Sequence, residues 1–144
     1  MNSAALLIDS NIWLERLLDQ DRASEVERFL AETPSELLYI TDFALHSICL
    51  ILQRVNQPDT LRVFVNDLFS QGGVKLVRLN PSDIHNIVDV IQEFELDFDD
   101  AYQYVAAEKF GLTIVSFDAD FNRTARGHKL PGDILQQRYS ECEE

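Results

Sequence analysis

Short apolar runs that alternate with longer helical patterns are the feature that most restricts how this chain can fold. The runs cover residues 5–8, 37–40, 74–79 and 113–116, are four to six residues long and are rich in Val, Ile and Leu. Helical patterns cover 22–32, 43–55, 59–70, 82–95 and 100–110, and a further amphipathic pattern begins at Ile12. Such alternation favours a parallel sheet with helices on both faces, and near-continuous apolar runs are typical of covered parallel strands. The sequence therefore predicts an α/β fold.

Signals at the ends of the helical patterns support this division of the chain. Pro58-Asp59 and Pro81-Ser82-Asp83 are typical helix starts, and Gly111 is a typical C-cap residue. No repeat and no Pro/Gly-rich linker interrupts the 144 residues, a length sufficient to bury a core. We therefore predict one domain over residues 1–144.

The charge balance excludes one broad class of function. The chain has 25 acidic residues against 12 Lys and Arg, a formal net charge of −13. A protein that binds nucleic acid over its whole surface usually has a basic surface instead. A small site in which divalent cations invert the local charge is still compatible with this balance, and an acidic surface suits a basic protein partner.

Hydropathy and cysteine usage indicate a cytoplasmic protein with no membrane contact. The sequence has no apolar stretch near the roughly 20 residues that a membrane-spanning helix needs, and no basic-then-apolar leader. Its two cysteines lie far apart, Cys49 in an apolar helical pattern and Cys142 in the polar tail. This arrangement argues against a structural disulfide or a Cys-type zinc site.

Acidic residues follow several of the predicted strands. Ligands bind outside the carboxyl ends of the strands in open parallel sheets, so these positions are candidates for a site. Three segments deliver acids to this edge: Asp9 with Asn11 after the first run, Asp42 after the second, and Asp118 with Asp120 after the fourth. The helix that leads into the fourth run begins with Asp97, Asp99 and Asp100. The topology therefore gathers carboxylates at one edge of one sheet.

Two interpretations apply to these acids. Asp is a favoured N-cap, and acids in a first helical turn are stabilised by the helix dipole by about 0.3–1 kcal/mol. We interpret Asp42, Asp59, Asp83, Asp97 and Asp99 in this way. Asp9, Asp100 and Asp118 each lie directly against an apolar run, where crowded carboxylates repel one another unless cations neutralise them. Such acids suit Mg²⁺ or Mn²⁺ and metal-assisted phosphodiester hydrolysis, so a metal ligand explains Asp9 better than a cap does.

Two stretches of the chain resemble the PIN domain, the fold of the VapC-type ribonuclease toxins. "LIDSNIWLERL" resembles the opening strand with its Asp-x-Asn, and "DDAYQYVAAEKFGLTIVSFDADF" resembles the closing helix, strand and acidic pattern. Both occur in the family's order and spacing. The resemblance implies a three-layer α/β/α sandwich with a central, mainly parallel sheet of four to five strands.

The resemblance also implies roles for particular residues. Asp9, Asp100 and Asp118 would be the catalytic acids and metal ligands, and Asp120 would be an accessory ligand. The cofactor would be Mg²⁺ or Mn²⁺. Asn11 and Ser116 would orient these groups, and Asp99 is the rival to Asp100, which we prefer because it directly precedes Ala101.

One position departs from the family pattern. PIN nucleases usually carry a Glu early in the helix after the second strand, whereas this chain has Ser47 there, with His46 beside it. Loss of one carboxylate weakens metal affinity and leaves a ligand position to water or to His46. Imidazole is a reasonable ligand for Mn²⁺ and a poor one for Mg²⁺. The alternative for His46 is a core or partner-facing side chain.

Basic residues after the last acidic pattern are the candidates for RNA contacts. Arg123, Arg126 and Lys129, with His128 between them, lie within a short segment and are candidates to bind RNA phosphates. The alternative is a solvated turn before Pro131. For the aromatic residues Tyr102 and Tyr104, core or dimer packing is a better interpretation than stacking on a base.

Three functions are compared. The first is a metal-dependent RNA-cleaving PIN nuclease, an activity typical of the toxin in a type II toxin–antitoxin pair, with an antitoxin partner and a homodimeric state implied by the resemblance. The second, motivated by Ser47, is a degenerate PIN-like module that binds RNA or protein without cleavage. The third is a haloacid-dehalogenase-like phosphatase, suggested by "IVSFDADF". It fails because too little chain follows Asp120.

Overall fold

A four-stranded parallel sheet forms the centre of the fold. The computed structural model describes the backbone of residues 4–143 and the side chains of residues 4–140. The strands are β1 (Leu6–Ile8), β2 (Leu38–Thr41), β3 (Lys75–Val77) and β4 (Thr113–Val115). They are arranged in the order β3-β2-β1-β4, and each neighbouring pair is parallel. The predicted α/β class with a parallel sheet is confirmed.

Seven helices surround the sheet in the described part of the chain. They are α1 (Ser10–Leu17), α2 (Ala23–Glu32), α3 (Asp42–Arg54), α4 (Pro58–Val65), α5 (Ile84–Phe94), α6 (Phe98–Phe110) and α7 (Pro131–Glu143). Short 3-10 turns cover Ser35–Leu37, Pro81–Asp83 and Ala119–Arg123, and a π-helical turn covers Asn66–Ser70. None of these helices is long and apolar enough to cross a membrane.

Alternation along β1 divides the core into two clusters. Leu6 and Ile8 pack on one face of the sheet, in the cluster that contains residues of α1, α2, α3 and α7. Leu7 packs on the other face with residues of α5 and α6. All three side chains are buried, as expected for a central strand that is covered on both sides. The result is the predicted three-layer α/β/α sandwich.

Three details differ from the sequence prediction. β3 is an edge strand, and Leu76 on it is 51% exposed, so this run is not a covered core strand. The 43–55 pattern has apolar residues on more than one face and so predicts a well-buried helix, but Leu50 on α3 and Val55 at its C-cap are exposed. Helix α7 was not predicted. It begins at Pro131, a residue favoured in a first helical turn, and buries Ile134 and Leu135 against the first core cluster.

The ends of β1, β4 and α6 position the acidic residues. β1 pairs with β4, and the Asp9 N–H donates to the Val115 carbonyl at 3.0 Å, which continues the ladder past the end of β1. Helix α6 ends at Gly111 in the left-handed conformation (φ 67°), as predicted, and the chain enters β4 two residues later. The first turn of α6 and the carboxyl ends of β1 and β4 are therefore tied to one edge of the sheet.

The structure places two of the acids interpreted as helix-start residues at helix starts, one as an N-cap and the other in a first turn. Asp97 is the N-cap of α6, and its Oδ1 accepts from the Asp100 N–H at 3.0 Å. At α3, however, Thr41 is the N-cap and accepts from the Ala44 N–H at 2.9 Å. Asp42 lies in the first turn, where its Oδ1 accepts from the Tyr102 hydroxyl at 2.8 Å. Cys49 is a half-buried free thiol, and the Cys142 side chain lies outside the described residues.

Candidate metal centre

A small polar cavity lies at the carboxyl end of β1, beside the first turn of α6. Its volume is about 210 Å³. The side chains around it are mainly acidic or polar: Asp9, Ser10, Phe43, Ala44, Ser47, Asp97, Asp99, Asp100, Gln103 and Asp118. Since these residues come from the ends of different elements, the cavity exists only in the folded chain.

Three carboxylates converge beside this cavity, of which Asp100 and Asp118 line it and Asp120 does not. One oxygen each of Asp100, Asp118 and Asp120 lies within 4.8 Å of the other two. The turn after β4 fixes two of these acids, because Asp118 Oδ1 accepts from the Asp120 N–H at 2.9 Å and caps the 3-10 turn. Asp100 is buried, whereas the Asp120 side chain is 49% exposed. The group of three acids therefore extends from the buried Asp100 to the half-exposed Asp120 at the surface.

Asp100 has the most perturbed environment of the three. Burial, followed by the hydrogen bond and charge of Asp118 and then by the charges of Asp97 and Asp9, raises the pKa of Asp100 to about 8. Its Oδ2 is buried and has no hydrogen-bond partner among the described residues. A buried acceptor of this kind calls for a partner, and a hard divalent cation suits a set of three carboxylates. The donor set therefore fits Mg²⁺ or Mn²⁺.

Asp9 lines the same cavity but lies outside the converging group. Its Oδ1 accepts from the Ser10 N–H at 2.9 Å and from Gln103 Nε2 at 3.0 Å. Its Oδ2 accepts from Ser116 Oγ at 2.8 Å and from Asn11 Nδ2 at 3.5 Å. Burial raises the pKa of Asp9, while the hydrogen bonds from Ser116, Gln103 and Ser10 oppose that effect. Asp9 is the N-cap of α1, so the cap interpretation, which the sequence analysis placed second to a metal ligand, is present in the structure.

Asn11 and Ser116 hold the groups around Asp9 together. Ser116 Oγ donates to Asp9 Oδ2 at 2.8 Å. The same oxygen accepts from Asn11 Nδ2 and from the Asp118 N–H, both at 3.0 Å. Asn11 Oδ1 accepts from the Phe117 N–H at 3.1 Å. These contacts link the segment after β1 to the segment after β4. They are the kind of orienting contacts expected for these two residues.

Sequence reasoning missed Gln103. This side chain is buried, its Nε2 donates to Asp9, and its Oε1 accepts from Thr41 Oγ1 at 2.6 Å. The sequence contained a signal, because Gln103 lies one helical turn after Asp100 and hence on the same face of α6. Its position inside a run of small and apolar residues gave no reason to expect a polar contact.

Asp99 and Asp100 are adjacent in the sequence, as are His46 and Ser47, but the structure gives the two members of each pair different positions relative to the cavity. Asp100 is in the converging group, whereas Asp99 lines the cavity with an exposed side chain whose pKa is raised by partial burial and by Asp97. Ser47 lines the cavity, whereas His46 is exposed and is not among the lining residues. His46 is therefore not brought to the carboxylates.

Two of the three basic residues predicted to contact RNA are engaged with the protein. Arg123 donates to the carbonyls of Phe94 and Glu95 at the end of α5, at 3.2 and 2.8 Å, and also contacts Asp120. Arg126 donates to the Leu112 carbonyl just after α6, at 3.0 Å. Both cations lie at helix C-termini, where the macrodipole favours them. Lys129 is exposed, and its side chain forms no ion pair with the residues that the structure describes.

The neighbouring aromatic residues pack against the protein. Tyr102 is buried, stacks on Phe43 with ring centroids 5.1 Å apart, and accepts from the Leu79 N–H at 3.1 Å. Tyr104 is buried against Phe94. Core packing, the preferred interpretation of both tyrosines, agrees with these contacts. Neither ring is placed to stack on a base.

The chain is an α/β protein with a parallel sheet and an acid-lined cavity at the carboxyl ends of its strands. Comparison with known protein families identifies the family to which it belongs. The PIN domain family matches residues 6–127, so the chain belongs to that family. No curated protein matches the chain.

Solved structures share the fold at low sequence identity. A toxin–antitoxin complex from Klebsiella pneumoniae is 19% identical with a TM-score of 0.69, covering 88% of this chain and 97% of its own. VapC20 from Mycobacterium tuberculosis, a sarcin–ricin loop cleaving toxin, is 16% identical with a TM-score of 0.70, covering 84% and 95%. FitAcB from Neisseria gonorrhoeae is 16% identical with a TM-score of 0.72, covering 88% and 98%. The suspected PIN and VapC-like fold is confirmed.

The raised pKa of Asp100 predicts a pH-dependent cost to stability. Because the folded chain favours the protonated carboxyl, the free energy of unfolding should fall as pH rises from the ordinary pKa of 3.8 towards about 8. Asp100→Asn removes this charge, and its amide can donate to Asp118. We expect the variant to gain more than about 1.4 kcal/mol over the parent at pH 8, the equivalent of one pKa unit, and much less at pH 5.

Urea unfolding at both pH values, with EDTA present, measures this difference. Asp59→Asn is the control, since it removes an exposed acid from α4 outside the cavity. An equal effect of Asp100→Asn at pH 5 and pH 8 would contradict the prediction.

Proposed function

We propose that this chain is a metal-dependent endoribonuclease and the toxin half of a toxin–antitoxin pair. The observation that carries the proposal is the convergence of Asp100, Asp118 and Asp120. One member, Asp100, also has a buried oxygen, Oδ2, with no hydrogen-bond partner among the described residues. Membership of the PIN family and the shared fold with VapC20, named as a sarcin–ricin loop cleaving toxin, support RNA as the substrate.

The chain's own residues prepare the site for phosphodiester hydrolysis. Asp100, Asp118 and Asp120 would hold Mg²⁺ or Mn²⁺, with waters and a substrate phosphate completing the coordination. When bound, such a cation lowers the pKa of a water and offsets the charge that develops on the phosphate. Ser116 orients Asp9 and the Asp118 backbone, and the turn at Ala119–Arg123 keeps Asp118 and Asp120 side by side.

Cleavage of RNA tests the proposal directly. The purified chain should cut a mixed single-stranded RNA pool with Mn²⁺ or Mg²⁺ and not with EDTA. Asp100→Asn should lower the rate at least about 100-fold, equivalent to about 2.7 kcal/mol of transition-state stabilisation. Products are read on a denaturing gel, and Asp59→Asn is the control. Cleavage that persists in EDTA, or no cleavage by the folded, partner-free chain in either metal, would argue against a metal-dependent nuclease.

The alternative function is a PIN-like module that binds RNA or protein without cleavage. Ser47 supports it, because a hydroxyl stands at the cavity where PIN nucleases usually carry a carboxylate. In that case the chain should bind without turnover, and metal affinity should be weak.

Introducing a carboxylate at position 47 distinguishes a nuclease weakened by the loss of one acid from a binding module that does not cleave. Because Ser47 lines the cavity, Ser47→Glu should tighten Mn²⁺ binding and raise RNA cleavage about tenfold, equivalent to about 1.4 kcal/mol. His46→Glu is the matched control, since it adds the same charge one residue away on the exposed surface. Equal effects of the two substitutions would show that added charge, rather than position, is responsible.

We propose that the antitoxin contacts a groove between α1, α2 and α4. This groove has a volume of about 840 Å³ and an apolar floor that includes Trp13, Leu17 and Phe64. Four acids and one Arg also line it, namely Asp19, Glu27, Asp59, Asp67 and Arg16. An apolar groove with acidic edges fits the apolar face of a basic amphipathic helix. The similar structures that are toxin–antitoxin complexes support a partner of this kind.

Substitution of two exposed valines tests whether the antitoxin contacts this groove. Val63 lines it and is 59% exposed, whereas Val88 on α5 is 44% exposed and lies outside it. Val63→Gln should weaken binding of the protein encoded by the adjacent reading frame at least about tenfold, measured by isothermal titration calorimetry, while Val88→Gln should not. Equal affinities for both variants would exclude this groove as the contact surface.

Several finer expectations stay predictions. They are the homodimer, the cytoplasmic location, the single-domain organisation over residues 1–144 and the contact of Lys129 with RNA. Arg123 and Arg126 keep this role only if RNA displaces them from the helix ends that they bind.

A further inference from the structure

We infer that Arg22 binds a backbone phosphate of the RNA strand beside the cavity, with its guanidinium held in place on the ring of Phe117. This inference rests on the proposed ribonuclease function, and it adds a cation that sequence reasoning did not consider. The basic residues predicted to contact RNA all follow Asp120 in the chain, whereas Arg22 lies at the start of α2.

The first observation is the stacking of Arg22 on Phe117. Arg22 Cζ lies over the Phe117 ring, 4.7 Å from its centroid, which is within the range of a cation–π contact. Because the guanidinium is planar, one of its faces can rest on the ring while the N–H donors at its edge stay available. The ring therefore restricts the position of the cation without using any of its hydrogen-bond donors.

The second observation is that Arg22 has no charged partner among the described residues. Its side chain is exposed and forms no ion pair there, although Asp21 and Glu25 are close in the sequence. Arg22 is the N-cap residue of α2, but its side chain makes no capping hydrogen bond. The macrodipole disfavours a cation at a helix N-terminus, where Ser, Thr, Asp or Asn is preferred. Helix stability therefore does not explain Arg22, and its donors are open to an external anion.

The third observation is the place of Phe117 beside the cavity. Phe117 lies between the buried Ser116 and Asp118, which lines the cavity. Its N–H donates to Asn11 Oδ1 at 3.1 Å, and its ring packs against the first core cluster. These contacts fix the ring, and with it Arg22, close to the edge of the site. An RNA strand with one phosphate in the cavity would bring a neighbouring phosphate to Arg22.

Charge favours RNA over the antitoxin as the partner of Arg22. The next residue, Ala23, lines the groove proposed for the antitoxin, and the acidic edges of that groove fit a basic helix. A cation beside the groove would repel such a helix, whereas it attracts a phosphate. Arg123 and Arg126 are engaged with helix ends, so they do not offer the same free guanidinium.

Binding of single-stranded RNA, measured separately from cleavage, tests this inference. Fluorescence anisotropy of a short labelled RNA is recorded between about 50 and 200 mM salt, with Ca²⁺ present, and a denaturing gel establishes that the RNA stays intact. Arg22→Gln should weaken binding at least about fivefold at the lower salt concentration. It should also reduce the slope of log affinity against log salt by about 0.7, the share of one phosphate contact with a single strand.

Three further variants separate charge, stacking and position. Arg22→Lys keeps the charge and should keep the salt slope, but it loses the planar fork and part of the affinity. Phe117→Leu should weaken binding about twofold with the slope unchanged, because the cation remains but is no longer held on a ring. Arg54→Gln is the matched control, since Arg54 is also exposed and lies at the far end of α3, about 20 Å from the first turn beside the cavity.

Arg54→Gln should change the RNA affinity less than about twofold and leave the salt slope as it is. Circular dichroism establishes that each variant folds. In the cleavage assay, Arg22→Gln should raise KM about as much as it weakens binding and leave kcat unchanged, because a contact made equally in the ground and transition states is lost. A fall in kcat at unchanged KM would overturn the inference.

The failure of this inference is distinguishable from the failure of the proposed function. If the parent binds and cleaves RNA while Arg22→Gln and Arg54→Gln behave alike, the inference is overturned and the proposed nuclease stays intact. If Arg22→Gln weakens only the binding of the protein encoded by the adjacent reading frame, the cation belongs to the antitoxin surface, and the inference is again overturned. Binding in the expected pattern without cleavage supports the inference and argues against the nuclease. No RNA binding by the folded parent overturns both.

Discussion

The parallel pairing of β1 with β4 is the contact on which the site depends. Both strands end at the same edge of the sheet, and the Asp9 N–H extends their ladder by one further hydrogen bond to Val115. As a result, Asp9 and Ser116 meet although 107 positions separate them in the chain. Helix α6 then leads directly into β4, so its first turn brings Asp100 to the same edge. Without this pairing the acids would be scattered along the sequence and fully solvated.

The crowded carboxylates at this edge differ in the hydrogen bonds that they accept from the protein. Asp9 receives hydrogen bonds on both oxygens, which stabilise its charge in a buried position. Asp100 receives no such donors on Oδ2, and burial followed by the hydrogen bond and charge of Asp118 raises its pKa to about 8. The pKa values of Asp9 and Asp99 are also raised, but only Asp100 combines a raised pKa with a buried oxygen that has no hydrogen-bond partner among the described residues. A site that binds a cation has to keep at least one acid in this state, because a fully satisfied carboxylate has little to gain from a metal.

Sequence reasoning reached the fold and the edge of the sheet but not the contacts within the site. Alternating apolar runs and helical patterns identified all four strands, and the acids that follow them identified the edge of the sheet at which the polar cavity lies. The pattern did not reveal that β3 is an exposed edge or that residues after Pro131 form a helix, because both depend on which neighbours are present. The contacts of Gln103 with Asp9 and of Arg126 with the Leu112 carbonyl were missed for the same reason. Their roles are set by side chains and carbonyls that are distant in sequence.

Under the proposed function, an acidic protein has to bind RNA, and the positions of its arginines limit which cations can contact the phosphates. The net charge of −13 repels phosphates, and Arg123 and Arg126 are engaged with the C-termini of α5 and α6. Lys129 is the remaining cation of the three that were expected to contact RNA. Binding through several Lys and Arg contacts would make RNA affinity strongly dependent on salt. Under the proposed function, a chain with so few such contacts beside its cavity would attract a phosphate through the charge of divalent cations, which invert the sign of the site locally. Substrate binding and chemistry would then depend on the same three carboxylates.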